Sequence, residues 1–470
     1  MQSKLIALAI ALLPMPAVAQ SSAQAPAPLT LAEVLKSSRR HAPQVQEAVA
    51  RVRGAEGKLL TAEGAFDTVV NAEATSRVPS FYDGQTLGGT VTRPLADWGG
   101  QVYGGYRVST GSFPIYEDRS FTNALGEVKV GAVFSLMRDR LIDDRRFARR
   151  NATIDIDLAE ADRLLAAITI QRRAVAAYNQ WVASGLRLTV FRELLDLAKG
   201  RQSGLARQVE AGARPRILLT ENEQNVLRRQ TLVARAEQDL ALAANTLSLF
   251  WRDDEGHPRR PDAAQLPAEF PTIGPAVADA AAVIALRPDL RQIDMRIAQA
   301  NNRLELDRNA LRPRLDFKAE VSKDIGALGE GGKSRTATDA IFGLNFSVPL
   351  QQRAARGRIA QSTAEIDAQR RRRQQIEEQI TAEIDGLAID VRGTERLRLL
   401  ADQELVLAQT MARAEVRRFD AGASDFFLVN SREEAAADAS IRKLDASVRQ
   451  IVARAELAAA SVDLKALGLE

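Results

Sequence analysis

The chain contains no cysteine, and this absence rules out several kinds of chemistry. Without a thiol there is no thiolate nucleophile, no cysteine-ligated metal, no structural disulfide and no lipid on an N-terminal cysteine. Histidine is nearly as scarce, since His41 and His257 are the two copies and both lie close to a proline in a predicted turn. We therefore predict no catalytic residue, no metal site and no cofactor.

Long apolar runs are also missing beyond the first residues. The opening segment MQSKLIALAIALLPMPAVAQ combines Lys4, a short apolar run and the small residues Ala17 and Ala19. This pattern predicts a cleaved signal peptide at residues 1–19. No later stretch reaches about eighteen uninterrupted apolar residues, so no transmembrane helix is expected. The mature chain is predicted to be periplasmic, secreted, or held in an outer membrane as a β-barrel.

Charge is abundant but balanced. Lys and Arg total 64 and Asp and Glu total 60, which leaves a net charge of +4. Charges of both signs are interleaved along the chain, a pattern typical of solvated helix faces, so nucleic acid is not an expected partner. Aromatic residues make up 5% of the chain, and the abundance of Ala, Leu, Arg, Gln and Glu favours long helices.

The sequence contains an internal duplication. VEAGARPRILLTENEQ at residues 209–224 resembles FDAGASDFFLVNSREE at residues 419–434, and VGAVFSLM at residues 130–137 resembles FGLNFSVP at residues 342–349. These matches align Gly131 with Gly343 and Gly212 with Gly422. We predict a first repeat at residues 20–250, an inter-repeat linker at 251–275 and a second repeat at 276–470.

Each repeat is predicted to contain a helix, strands, a long helix, a turn and a final helix. The segments Ile142–Val209 and Gln351–Arg418 have helical apolar spacing without an internal proline. A helix of about 65 residues is roughly 100 Å long, too long for an ordinary globular core.

Four segments alternate between apolar and polar residues as strands do: Phe66–Ala74, Glu127–Met137, Leu315–Ser322 and Phe342–Val348. Such alternation fits transmembrane strands around a wet lumen, and it fits a half-buried soluble sheet equally well. In the membrane interpretation, five residues are predicted to face lipid: Phe134, Leu136, Phe342, Leu344 and Phe346.

The segments LTLAEVL at residues 29–35, LRPDL at 286–290 and FGLNFSVPL at 342–350, together with the repeated glycine turn, resemble the TolC-like outer-membrane factor family. The resemblance implies a mixed α+β membrane protein. In that fold a homotrimer shares one transmembrane β-barrel, with four strands from each protomer, above a long periplasmic α-helical coiled-coil tunnel. The implied function is a passive exit duct for a tripartite efflux pump or type I secretion system in the outer membrane. The implied partners are outer-membrane lipid, a periplasmic adaptor and an inner-membrane transporter of the RND or ABC type.

The same resemblance implies that Gly212 and Gly422 close helix-hairpin tips at the periplasmic mouth. The candidate gate residues around these tips are Arg214, Arg216, Phe419, Asp420, Asp425, Phe426 and Phe427. We expect Asp420 or Asp425 to pair with Arg214 or Arg216, within or between protomers, and Phe426 or Phe427 to narrow the bore. The alternative is that the charges are solvated and both phenylalanines pack between helices.

Two questions stay open at this point. The first repeat has an insertion containing Thr90–Val108, with a predicted turn at Asp97–Gly100, which either lengthens the extracellular loops or adds two strands. The alternative function is a soluble periplasmic coiled-coil adaptor or structural protein with a buried sheet. The duplication argues against that alternative, because adaptors usually carry one helical hairpin.

Overall fold

The computed structural model describes residues 27–77, 81–271, 274, 280–331 and 336–470. The predicted signal peptide at residues 1–19 lies outside the described residues. The helices are α1 (Leu31–His41), α2 (Pro43–Glu63), α3 (Asp144–Glu210), α4 (Ile217–Leu247), α5 (Ala280–Leu286), α6 (Pro288–Asn309), α7 (Arg353–Asp420) and α8 (Phe426–Ala460). The strands are β1 (Val69–Ser76), β2 (Gln85–Pro94), β3 (Gly100–Thr110), β4 (Glu127–Ser135), β5 (Arg314–Asp324) and β6 (Thr338–Ser347).

The two long helices predicted from apolar spacing are present. Helix α3 has 67 residues and α7 has 68, and each begins and ends within two residues of its predicted limits. The start of α3 is fixed by Asp143, whose side chain accepts a hydrogen bond from the amide of Arg146 at 2.9 Å. At about 1.5 Å per residue, both helices are roughly 100 Å long.

The two repeats have the same order of elements. In the first, α2 leads into strands, then α3, a short turn and α4; in the second, α6 leads into strands, then α7, a short turn and α8. Helix α3 packs against α4, α7 packs against α8, and α3 also contacts α8. The two helical hairpins therefore lie side by side.

The largest apolar core joins α1, α3, α4 and α8. Trp181 and Val182 of α3 are fully buried there, together with Leu247 of α4. Tyr178 is 2% exposed, and its hydroxyl donates a hydrogen bond to the carbonyl of Leu29 at 2.8 Å. Burial raises the pKa of Tyr178 to about 12. The phenol thus stays neutral and fastens the segment before α1 to the long helix.

The strands form one antiparallel sheet in the order β1-β2-β3-β4-β5-β6. The insertion in the first repeat forms β2 and β3, so it adds two strands and does not merely lengthen a loop. The four strands per chain implied by the family resemblance are therefore corrected to six among the described residues. The physical reason is that β2 and β3 continue the backbone hydrogen bonding between β1 and β4 without a break.

The register gives the sheet one apolar face. Directly opposite residues on neighbouring strands point to the same side of a sheet. One such row across all six strands is Val70, Val91, Gly104, Val130, Val321 and Ala340. A second row joins Phe134, Phe317 and Leu344 on β4, β5 and β6. The apolar residues predicted strand by strand therefore lie together on one surface.

The opposite face is polar and is linked across strands. Tyr103 on β3, Gly131 on β4 and Glu320 on β5 form one row, and the Tyr103 hydroxyl donates a hydrogen bond to Glu320 at 2.5 Å. The Nζ of Lys318 lies 3.1 Å from a carboxylate oxygen of the same glutamate. Because Gly131 has no side chain, the tyrosine can pass over β4 to reach β5.

This crossing predicts different responses at the two equivalent strand glycines. A Cβ at Gly131 would lie 2.6 Å from the ring of Tyr103 and 2.9 Å from the carbonyl oxygen of Ala319, whereas at Gly343 the nearest neighbour is 3.9 Å away. We expect Gly131→Ala to destabilise the sheet by about 1–3 kcal/mol through overpacking and Gly343→Ala to be nearly neutral. Melting temperatures of the two purified variants in detergent check this. Equal values would contradict the role assigned to Tyr103.

Candidate functional site

Each helical hairpin ends in the same glycine turn. Gly212 has φ of 69° and Gly422 has φ of 73°, so both tip glycines have the left-handed conformation. In each turn the amide of the following alanine donates to a carbonyl five residues earlier, at 2.8 Å. Apart from the residues adjacent in the chain, no atom of the described residues lies within 4 Å of a Cβ built at either glycine. Backbone conformation, and not lack of space, therefore requires glycine here.

The two tips touch through an aromatic contact. The guanidinium of Arg214 on the first tip lies over the ring of Phe419 on the second, 5.1 Å from its centroid. On the second tip, Asp425 caps α8 by accepting a hydrogen bond from the amide of Leu428 at 2.7 Å. Arg214 and Asp425 of the predicted gate therefore contact an aromatic ring and a helix end, and not each other.

The predicted intramolecular ion pairs are not observed. In the part of the chain that the structure describes, no ion pair joins Asp420 or Asp425 to Arg214 or Arg216. The reason is that the Asp425 carboxylate serves as a helix cap and the Arg214 guanidinium covers an aromatic ring. Pairing of these residues between protomers stays a prediction.

The two adjacent phenylalanines have different environments. Phe426 is 3% exposed and packs against Phe419 and Arg201, with its ring 6.3 Å and 5.7 Å away respectively. Phe427 is 78% exposed. Phe426 is therefore a buried contact between helices, and the prediction that one of the two phenylalanines narrows the bore stays a prediction. Phe427 is the remaining aromatic candidate.

A buried charged cluster links the two hairpins above the tips. Glu433 on α8 has a side-chain exposure of 3% and lies 3.1 Å from Arg229 on α4, whose side chain is 1% exposed. The same carboxylate also binds Arg201 of α3. Arg229 donates a second hydrogen bond to the carbonyl of Leu194 at 2.6 Å, and burial lowers the pKa of its guanidinium. Three helices from both hairpins therefore meet at one carboxylate.

Two asparagines extend this cluster towards the tips. The Oδ1 of Asn430 accepts hydrogen bonds from Asn225 and from Arg201, both at 3.0 Å. Sequence reasoning missed the whole cluster. Its members are five polar residues among many on long helices, and no local spacing distinguishes a buried polar position from a solvated one.

A groove runs beside this cluster between α4 and α8. Its volume is about 700 Å³, and its lining includes Glu221, Asn225, Arg228, Phe427, Ser431 and Glu434. The lining is mixed, with charges of both signs around the exposed Phe427. Such a surface fits contact with another helix better than enclosure of a small ligand.

The described residues contain no group of three or more His, Cys, Asp or Glu side chains placed to hold a metal ion. None of the helices in the described ranges is both long and apolar enough to cross a membrane.

The sequence and the fold of this chain are similar to those of known outer-membrane proteins. The family model for the outer membrane efflux protein matches residues 281–461, a segment that contains β5, β6, α7 and its tip. The open-state MtrE outer membrane channel of Neisseria gonorrhoeae has a TM-score of 0.65 at 15% identity, covering 94% of this chain and 89% of that one. The outer membrane protein VceC of Vibrio cholerae has a TM-score of 0.65 at 16% identity, covering 94% and 97%. No curated protein sequence matches the chain.

The fold is therefore that of an outer-membrane channel with a helical tunnel. Residues 281–461 match the outer membrane efflux protein family model, and the predicted resemblance to the outer-membrane factor family is confirmed. The matched family consists of channels and not of enzymes, and the outer-membrane location predicted from the resemblance is the location of that family.

The buried cluster predicts that two neighbouring glutamates differ in importance. Glu433→Gln leaves Arg229 buried without its counter-ion, and we expect a loss of about 3–5 kcal/mol in the free energy of unfolding. Glu434 pairs with the exposed Arg228, so Glu434→Gln should cost about 0–1 kcal/mol. Urea unfolding of the helices, followed by circular dichroism, distinguishes the two variants. If both shift the midpoint equally, Glu433 is not the link between the hairpins.

Proposed function

We propose that the protein is a passive exit duct of the outer membrane, serving a tripartite efflux pump or a type I secretion system. One observation carries the proposal: two helices about 100 Å long, α3 and α7, continue directly from a sheet with an exposed apolar face. Strand β4 leads into α3 and β6 leads into α7, so both hairpins leave the same end of the sheet. This is the form expected of a tunnel below a membrane-embedded wall.

The apolar face supports a location in lipid. Phe342 and Leu344 are each 70% exposed and Phe346 is 61% exposed, although they are apolar. Phe134 is partly buried in the same surface, and Leu136 lies one residue beyond the end of β4. We assign all five to the lipid side, with Leu136 at its periplasmic border. A soluble adaptor with a buried sheet would cover this face.

The sheet edges support assembly with further copies. Among the described strands, β1 and β6 each pair with a neighbour on one side only, and unpaired strand edges are not tolerated in lipid. We propose three copies, the number that the family resemblance implies. The duct would then receive cargo, either small molecules or proteins, from an inner-membrane transporter of the RND or ABC type through a periplasmic adaptor.

The hairpin tips are the proposed mouth. Arg216, Asp420 and Phe427 are exposed there, and Arg214 lies between the two tips. Pairing between Arg216 and Asp420 of neighbouring protomers would hold the tips together. One exposed pair contributes about 0–1 kcal/mol, so three copies bias the mouth towards closure without locking it.

The lipid assignment predicts a difference between two adjacent residues on β6. Leu344→Arg places a charge in the hydrocarbon region, which costs about 2–4 kcal/mol near the bilayer midplane, so we expect reduced outer-membrane insertion. Asn345→Arg is the matched control, because Asn345 lies on the polar face opposite Asp316. Membrane fractionation and the yield of heat-modifiable trimer measure the effect. Equal insertion of the two variants would contradict the assigned faces.

The tip conformation predicts a rescue pattern at Gly422. Gly422→Val strains the turn because φ is positive, and we expect weaker cross-linking to the periplasmic adaptor and lower efflux, with trimer assembly unchanged. Gly422→Asn should retain most of the adaptor cross-linking and most of the efflux, since asparagine tolerates the left-handed region. If the Gly422→Val variant cross-links to the adaptor as well as the unchanged protein does, the tip conformation has no role in adaptor docking.

A further inference from the structure

The hairpin β2–β3 is fixed at the base of the sheet, where β4 leads into α3. The amide of Gly99 in its turn donates to the carbonyl of Arg140 at 2.9 Å. Arg146 near the start of α3 is 3% exposed, and its guanidinium donates to the carbonyls of Asp97 at 3.3 Å and Arg140 at 2.8 Å. A Cβ at Gly99 would lie 1.9 Å from the carbonyl oxygen of Asp139. The turn is therefore built into the junction between sheet and helices.

The same hairpin is fixed on the polar face. Tyr103 of β3 crosses β4 at Gly131 and donates to Glu320 of β5, which belongs to the second repeat. Arg107 of β3 also forms an ion pair with Glu127 of β4 at 2.8 Å. Together with the continuous backbone pairing from β1 to β4, these contacts make the hairpin part of the wall and not an appended flap.

We propose that the hairpin β2–β3 widens the barrel, so that each copy contributes six strands and three copies of six close an eighteen-stranded wall. The number of copies rests on the proposed function, whereas the six strands rest on the structure. The partner for each exposed edge is a second copy of this chain. Because six is even, β1 and β6 of a meander run in opposite directions, so β6 of one copy meets β1 of the next antiparallel.

The width of the helical layer supports six strands. Next to the sheet, each copy presents four helices in the row α2, α3, α6 and α7. At an interaxial distance of about 8–10 Å, these four helices occupy roughly 32–40 Å of circumference. Six strands spaced by about 4.8 Å and tilted by about 40° occupy roughly 38 Å, whereas four occupy roughly 25 Å. The six-stranded contribution therefore matches the tunnel in width, for any number of copies.

The functional consequence is a wide opening at the outer membrane. Barrel diameter grows about linearly with strand number, so eighteen strands give a bore roughly one and a half times that of twelve. The lumen then does not narrow where the tunnel enters the membrane. Cargo as wide as the open tunnel can leave, and the hairpin tips are the place where passage is controlled.

Engineered disulfides test the position of the hairpin, because the chain has no cysteine of its own. Val70 lies directly opposite Val91 on β2, a spacing of about 4.5–5.5 Å between Cα atoms that suits a disulfide. Val70 and Val130 share the row but are separated by β2 and β3. We expect V70C with V91C to form a disulfide in purified trimers and V70C with V130C, V128C or A132C to form none. Mass spectrometry of the digested protein identifies the linked peptides.

Three outcomes decide between the possibilities. A trimer with the V70C–V91C link alone supports the six-stranded contribution. A trimer in which V70C links to β4 overturns the inference, since β1 and β4 are then neighbours, while the proposed exit duct stands. A chain that fractionates as a soluble monomer overturns the proposed function and the inference with it.

The width is tested separately by electron microscopy. Averages viewed down the barrel axis are compared for the full chain and for a variant in which residues 83–125 are replaced by a short Gly–Ser linker. We expect the full chain to have a barrel about 1.5 times as wide. If that variant does not assemble, the absolute diameter of the full chain is compared with the calculated circumference of roughly three times 38 Å. A circumference near three times 25 Å would overturn the inference.

Discussion

Backbone hydrogen bonding is the constraint on which the rest of this structure depends. The inner strands of the sheet have backbone hydrogen-bond partners on both sides. Strands β1 and β6 each present an edge of amide and carbonyl groups without a partner in the described chain. In water such an edge is tolerable, whereas in hydrocarbon each unpaired group costs several kcal/mol. The exposed apolar face makes hydrocarbon the surroundings that this sheet requires. In the proposed trimer, β6 of one copy pairs with β1 of the next and so satisfies both edges.

The helical part solves a different problem, which is how a layer about 100 Å long keeps a single arrangement. Apolar contacts between long helices allow sliding, because one turn of a helix resembles the next. The Glu433 cluster prevents such sliding, because one carboxylate binds arginines at fixed positions along two other helices. Burying these charges costs desolvation energy, so the cluster contributes little net stability compared with apolar residues. Its contribution is to fix the register of α3, α4 and α8.

Features set by local pattern were predictable from the sequence, and features set by packing were not. The limits of α3 and α7 follow from apolar spacing, and the conformations of Gly212 and Gly422 follow from the need for a left-handed residue at a helix end. The number of strands does not follow from the sequence, because Gly88 and Gly89 interrupt the apolar–polar alternation of β2. Segment β2 is a strand because its backbone pairs with β1 and β3. Phe426 and Phe427 are adjacent in sequence, so their opposite burial comes from the neighbouring hairpin.

The insertion also explains how the two repeats can differ in strands yet agree in helices. An odd number of added strands would reverse the direction of the chain and send α3 away from the tunnel. Two added strands are the smallest insertion that returns the chain to the same end of the sheet, so α3 and α7 still leave side by side. The turn between β2 and β3, at Gly99, is hydrogen-bonded to Arg146 and Arg140 at the point where the sheet meets the helices. The duplication therefore constrains the helices, while the wall can change its width in steps of one hairpin.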